Sequence, residues 1–233
     1  MRGVITDSAA PGGLRLADDL PEPEPAAHEL VLAVRAFSIN AGEVSLIEQR
    51  PDGWRPGQDT AGVVVAAAAD GSGAPVGTRV VAYPEWEGWA ERIAVPTAWV
   101  AALPDPVSLE EAATLPVAGL TALRAVQVGG ALLGRNVLVT GAAGGVGQLA
   151  VQLAAASGAR VTALVSGPER VGDARGQKTL VPGATSASGR SRMTSPSSSG
   201  TPRTRTSDMK VAIWRGGKLV TATTSRPASS SAV

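Results

Sequence analysis

Apolar and polar positions along the chain fall into three regimes. In the first, short apolar runs alternate with Gly/Pro turns. "ELVLAVRAFSIN" (29–40) has a strong β pattern, and "DTAGVVVAAAA" (59–69) is a second run, closed by the turn "DGSGAPVGTR". "RVVAYPEWEGWAERIAV" (79–95) predicts two strands around a turn. Residues 1–28, with "LPEPEPAAHEL", read as loop-rich. Many short strands separated by turns imply a barrel-like β domain.

The second regime begins near Pro106. In "SLEEAATLPVAGLTALRAVQV", Ser108 precedes Glu110 and Glu111, which predicts a capped helix start with acids in the favourable first turn. Pro116 breaks that helix, and "AGLTALRAV" resumes as another. "VLVTGAAGGVGQLAVQLAAASGARVTALV" then reads as strand, glycine turn, small-residue helix and strand. The third regime starts after about Arg175. Residues 176–233 hold 12 Ser and 9 Thr and show little apolar periodicity. They predict a disordered, low-complexity tail in which only "MKVAIWRGGKLVTATT" can form a hairpin, with Gly216–Gly217 at its turn.

Charge sharpens the last boundary. Residues 1–175 carry 12 Arg, no Lys and 19 acids, a net of −7, whereas residues 176–233 carry +8. Such asymmetry marks a tail. Other features exclude whole classes of chemistry. The 233 residues contain no Cys and one His, which rules out disulfides, cysteine-ligated zinc and multi-histidine sites. His28 itself reads as a surface turn residue. The N-terminus lacks the apolar segment of a secretory signal, and no apolar run reaches the ~18 residues of a spanning helix. A soluble cytoplasmic protein without a membrane partner is therefore expected.

The candidate chemistry lies in the glycine turn. A strand, a tight turn and a helix N-terminus hold a dinucleotide pyrophosphate, because a backbone without Cβ atoms lets the phosphates approach free N–H groups. The fingerprint here is Ala142-x-Gly144-x-x-Gly147, with Gly145 added and the first glycine replaced by alanine. Thr140, Ala142, Gly144, Gly145, Val146 and Gly147 are the expected cofactor contacts. The second strand ends in Val165-Ser166-Gly167-Pro168-Glu169-Arg170, with no acid at its tip to bind a ribose 2′-hydroxyl. Ser166 and Arg170 suit a 2′-phosphate, which favours NADPH, while Glu169 keeps NADH open.

The motifs "AFSIN", "PGQDTAGVV", "GTRVVAY", "GWAERIAVP", "LPDPVSLEEAATLPVAGLTAL" and "VLVTGAAGGVGQLAVQLA" resemble, in this order, the medium-chain dehydrogenase/reductase superfamily. The zinc-free quinone oxidoreductases are the most similar branch, and the resemblance covers roughly residues 12–175. It implies an α/β chain with an N-terminal GroES-like β-barrel-type domain (1–115) and a partial Rossmann dinucleotide-binding domain (116–175), followed by the irregular tail (176–233). Zinc members carry a histidine where "PGQDTAG" has Gln58, so a zinc-independent hydride transfer from NADPH to a quinone or enone is implied. The resemblance places Asn40 and Thr121 near the nicotinamide. Read without it, Asn40 is a strand-end turn residue and Thr121 a helix hydroxyl bonded to its own backbone. Trp54, Trp86, Trp89 and Tyr83 either line an apolar pocket or belong to core and rim. Relatives of this kind are often dimers, so a homodimer is an expectation.

Beyond residue 175 the family continues with further parallel strands, and here the motifs stop. Two explanations stand: a reading-frame shift in a GC-rich gene, or a genuine disordered tail. Either leaves a half-sheet without a neighbour on one side. Two other functions compete with the reductase reading. One is nucleotide binding without catalysis. The other is nonspecific nucleic-acid binding through the basic tail, which its single aromatic, Trp214, disfavours.

Overall fold

The computed structural model describes residues 1–167, Arg170, and the backbone of 210–215 and 218–223. The expected disorder of 176–233 lies, apart from those two strands, outside the described residues. The chain divides into two compact units, Met1–Leu120 and Thr121–Val233.

The first unit is built on a five-stranded antiparallel sheet. Its strands are β3 (Glu29–Phe37), β4 (Thr60–Ala66), β5 (Arg79–Ala82), β6 (Arg92–Pro96) and β7 (Val100–Ala102). Their order is β6-β3-β4-β5-β7, so the two strands of 79–95 are real but are not neighbours. Alternate residues point to one face and bury Leu30, Leu32, Val64, Val80, Ile93 and Val95 together. Residues 1–28 are more ordered than their proline content implies. β1 (Gly3–Thr6) and β2 (Leu14–Ala17) pair antiparallel, and the Val4 N–H donates to the Trp89 carbonyl at 2.8 Å. Four-residue strands held by distant partners leave no periodic trace in sequence. His28 lies in an exposed turn as expected.

Two helices position the site. α1 (Ala41–Ile47) follows β3, and α2 (Leu109–Ala113) packs Ala112 and Ala113 against Ala61 of β4. Ser108 caps α2 as its sequence predicts. Its Oγ accepts from the Glu111 N–H at 3.1 Å, and Glu111 Oε2 accepts from the Ser108 N–H at 3.0 Å. Replacing Ser108 with alanine removes one half of this box, and a loss of about 1 kcal/mol in urea unfolding is the expected result. An unchanged midpoint would show that the cap does not contribute. α3 (Pro116–Val128) starts at the proline that ends the previous helix.

In the second unit β8 (Asn136–Thr140) and β9 (Arg160–Leu164) are parallel and joined by α4 (Gly145–Ala156). Small residues let the layers approach: Ala122, Ala125, Ala142, Ala150 and Ala154 pack with Val137, Val139, Val151 and Val161. The other edge of β8 is not left open. β10 (Lys210–Arg215) and β11 (Lys218–Thr223) form the expected hairpin, and β10 pairs antiparallel with β8 through Val211↔Val139, Ala212↔Leu138 and Ile213↔Val137. The expectation of an unpartnered half-sheet is therefore corrected. A hairpin from the Ser/Thr-rich tail takes that edge.

Candidate functional site

Parallel pairing of β8 and β9 sets Thr140 beside Leu164, so both strands end at the same edge. Ligands of open α/β sheets bind at such carboxyl ends. The chain then turns sharply. Gly141 has φ +64°, a left-handed conformation that favours glycine. The Gly144 N–H donates to the Gly141 carbonyl at 2.9 Å, and the Ala142 N–H donates to the Leu164 carbonyl at 3.1 Å. Ala142 and Ala143 are buried beneath the turn, whereas Gly144 and Gly145 are exposed.

Gly144 is the N-cap of α4, and no side chain caps it. The first N–H groups of this 12-residue helix thus face outward with the positive end of the helix dipole. Gly147 explains why the helix starts so close to the strand. A Cβ there would lie 2.2 Å from the Gly141 oxygen and 2.8 Å from the Ala142 Cα. A Cβ at Gly144 would meet only the Gly141 oxygen, at 3.3 Å. The turn is a cradle without side chains over uncapped N–H groups, which suits a pyrophosphate.

The remaining predicted contacts lie around this cradle. Thr140 is half-buried at the end of β8, and Val146 is half-buried in the first turn of α4. Ser166 is exposed just beyond β9. Arg170 folds back onto the turn, and its Nη2 donates to the Ala143 carbonyl at 3.1 Å, the carbonyl that also accepts from Gln148 Nε2 at 3.0 Å. A guanidinium is therefore held beside the helix N-terminus. Gly141 was missed by the sequence template, because the fingerprint begins one residue later. The signal was the glycine that directly follows the β8 strand.

The first unit holds a second group of polar residues. β3 and β4 pair through Phe37↔Thr60, which brings the residues after β3 next to those before β4. Asn40 is the N-cap of α1. Its Oδ1 accepts from the Glu43 N–H at 2.9 Å, and Glu43 Oε2 accepts from the Asn40 N–H at 2.9 Å. Asn40 is thus a capping residue, and its amide does more besides. Nδ2 donates to Asp59 Oδ2 at 3.1 Å. Asp59 Oδ1 accepts from the Val117 N–H at 2.6 Å, and Glu43 Oε1 accepts from the Gln58 N–H at 2.6 Å.

Both acids are buried, Glu43 at 0% and Asp59 at 2% exposure. Burial pushes the Glu43 carboxyl up to about 7, and the nearby Asp59 charge adds to this, against the hydrogen bonds from Asn40 and Gln58. Burial also raises Asp59 above the usual carboxylate range, while bonds from Val117, Asn40 and Ser38 oppose it. Sequence reasoning missed both acids. The spacing "NAGE" carries a readable capping box, but the Asn40–Asp59 contact depends on strand pairing.

Thr121 lies on α3, one turn after Val117, and is half-buried. Among the described residues its hydroxyl has no hydrogen-bond partner, so the self-bonded reading is not what the structure holds. The aromatic residues pack against one another, and Phe37 and Trp89 also line an open cleft with Val4, Leu16 and Val34. Trp89 is 3% exposed, stacks on Phe37 with ring centres 5.6 Å apart, and donates from Nε1 to the Ser38 carbonyl at 3.2 Å. Trp54 and Trp86 meet edge to face at 4.9 Å with Arg50 over both rings, and Tyr83 stacks on Trp99.

Residues 26–105 match the alcohol dehydrogenase GroES-like domain family. The chain is 36% identical to a chloroplast envelope quinone oxidoreductase homolog of Arabidopsis thaliana over 62% of this chain and 49% of that protein. It is 34% identical to the human synaptic vesicle membrane protein VAT-1 homolog-like over 56% of this chain and 33% of that one. Among solved structures, the quinone oxidoreductase of Thermus thermophilus, determined alone and in complex with NADPH, aligns with TM-score 0.66 at 35% identity. The alignment covers 77% of this chain and 59% of that one. The chain thus spans a third to a half of the length of these curated relatives. A GroES-like first unit, a glycine cradle between parallel strands in the second and this set of relatives agree, and the chain is similar in sequence and fold to the quinone oxidoreductase-like members of the medium-chain dehydrogenase/reductase superfamily.

Proposed function

We propose that the chain is an NADPH-dependent, zinc-independent oxidoreductase acting on a quinone or an α,β-unsaturated carbonyl. The observation that carries this reading is the cradle at Gly141–Gly147, with its uncapped helix end and its missing Cβ atoms. Gly145 and Val146 would hold the pyrophosphate through backbone N–H groups, while Gly144, whose own N–H closes the turn on the Gly141 carbonyl, would meet it without a side chain, and Ala142 and Gly147 keep the approach open. Ser166 and Arg170 would meet a 2′-phosphate, and no acid of β9 opposes it. The NADPH complex of the Thermus thermophilus relative supports that choice. When bound, the cofactor supplies the hydride.

The chain's own contribution is binding and orientation. Asn40 and Thr121 would hydrogen-bond the nicotinamide end or the substrate carbonyl. Zinc has no place in this reading, since three protein ligands of N/S type cannot be assembled from a single His and no Cys. Among the described residues no group of three potential ligands occurs, and none of the helices is long and apolar enough to cross a membrane.

A second reading is nucleotide binding without turnover. The antiparallel pairing of β10 with β8 favours it, since dinucleotide-binding sheets of this type are mostly parallel. One assay separates the two. The purified chain, dialysed against EDTA, is mixed with NADPH and benzoquinone or a simple enone, and NADPH absorbance is followed. Acceptor-dependent oxidation that survives the chelator is expected. Activity restored only by zinc would overturn the metal-free part, and binding without oxidation would leave the second reading in place.

A further inference from the structure

An N-cap needs only an acceptor, and Ser, Thr, Asp or Asn supplies one equally well. Position 40 is more demanding. Its side chain must present an oxygen to the Glu43 N–H and a hydrogen to the Asp59 carboxylate, which are 2.9 and 3.1 Å away. A carboxamide has one of each. Aspartate at this place would set anion against anion, and serine would not reach both. Asp59 is equally committed, because its other oxygen takes the Val117 N–H at the start of α3. It is 2% exposed, so water does not take over either bond.

We propose that Asp59 is a positioning residue for Asn40. Its carboxylate locks the carboxamide in one orientation, ties it to the first turn of α3, and leaves the second Nδ2 hydrogen for a ligand. Among the described residues that hydrogen has no acceptor. The functional side of this inference rests on the reading of Asn40 as a contact of nicotinamide or substrate.

The test uses the full 233-residue chain and Asp59→Asn. A carboxamide offers one acceptor to two donors, so one of the two bonds must break. Nitrogen–proton correlation spectra report the Asn40 side-chain amide, assigned by its absence in Asn40→Asp. In the wild-type chain a shifted, slowly exchanging pair is expected, and in Asp59→Asn its exchange should be roughly tenfold faster. An amide pair that is unprotected in the wild type, or unchanged in Asp59→Asn, would overturn the proposal.

The same variants are then assayed for NADPH oxidation with benzoquinone. Asp59→Asn should lower kcat about tenfold with little change in NADPH affinity, and Asn40→Ala/Asp59→Asn should lose no more than Asn40→Ala alone. Losses that multiply would mean that Asp59 does not act through Asn40. If Asn40→Ala itself keeps full kcat, the functional reading of Asn40 fails, while the amide spectra still decide the positioning. Should Asp59→Asn fold poorly, the exchange Asn40→Asp/Asp59→Asn swaps donor for acceptor and keeps the net charge. It should recover the melting temperature but not kcat, and failure to recover it would count against the pair.

Discussion

Replacing Gly147 with alanine is expected to weaken NADPH binding at least ~100-fold and to destabilise the second unit by about 3 kcal/mol or more. The added Cβ would sit 2.2 Å from the Gly141 oxygen, 2.8 Å from the Ala142 Cα and 2.9 Å from the Gly141 carbonyl carbon. All three are backbone atoms of the turn, so no side chain can swing aside. The start of α4 would have to lift from the end of β8, and the N–H groups that face a pyrophosphate would move with it. Gly144→Ala is the control. Its φ of −81° suits alanine, and its Cβ meets one oxygen at 3.3 Å, which a shift of a few tenths of an ångström relieves. This variant should keep its stability to within about 1 kcal/mol yet bind NADPH more weakly, because the new methyl group occupies the phosphate approach. Urea unfolding and fluorescence titration measure both quantities. Tight binding by the Gly147→Ala variant would mean that the cradle is not the cofactor site.

Stability should also fall as pH rises from about 5 to 8, because of Glu43. The fold holds this carboxyl up at about 7, whereas an unfolded chain ionises it near its ordinary value of 4.5. Between those values the native state carries the extra proton, so its stabilising contribution is complete below 4.5 and is lost as pH rises through 7. The loss amounts to about 3.5 kcal/mol at most, since each pH unit between the two values is worth about 1.4 kcal/mol. Asp59, also raised by burial, acts in the same direction. The exposed acids Glu22, Glu91, Asp70 and Glu111 are held low by Arg92, Arg2, Ser72 and Ser108. Their contribution is lost only as pH falls below their ordinary range, outside this window. Urea midpoints at three pH values check the slope. Glu43→Gln removes the titrating group and should flatten most of it, although the amide can accept from only one of the Asn40 and Gln58 N–H groups. A midpoint that rises across this range in the wild-type chain would rule out a buried, proton-binding Glu43.

What sequence could show was local. The cap at Ser108 and Glu111, the break at Pro116 and the strand–turn–helix at Val137–Ala156 each depend on residues within a few positions of one another. The hairpin at 210–223 was legible for the same reason, since two alternating runs flank two glycines. Its docking on β8 was not, because nothing in Val211–Ile213 names Val137–Val139 as a partner. β1 and β2 escaped notice among prolines and glycines because their register comes from each other and from the Trp89 carbonyl, far along the chain. The polar group in the first unit divides in the same way. Asn40 and Glu43 form a readable capping box, whereas Asp59 joins them only after β3 and β4 pair. The turn itself was found, but its left-handed residue is Gly141 rather than a member of the template.

The proposed function turns on whether the Gly141–Gly147 cradle holds NADPH. A fluorescence titration of the folded 233-residue chain with NADPH and, in parallel, with NADH decides this. Saturable binding of NADPH, about tenfold or more tighter than NADH, is the expected result for a cradle flanked by Ser166 and Arg170. A folded chain that shows no saturable NADPH binding, or that binds NADH as tightly, would be incompatible with an NADPH site at this turn.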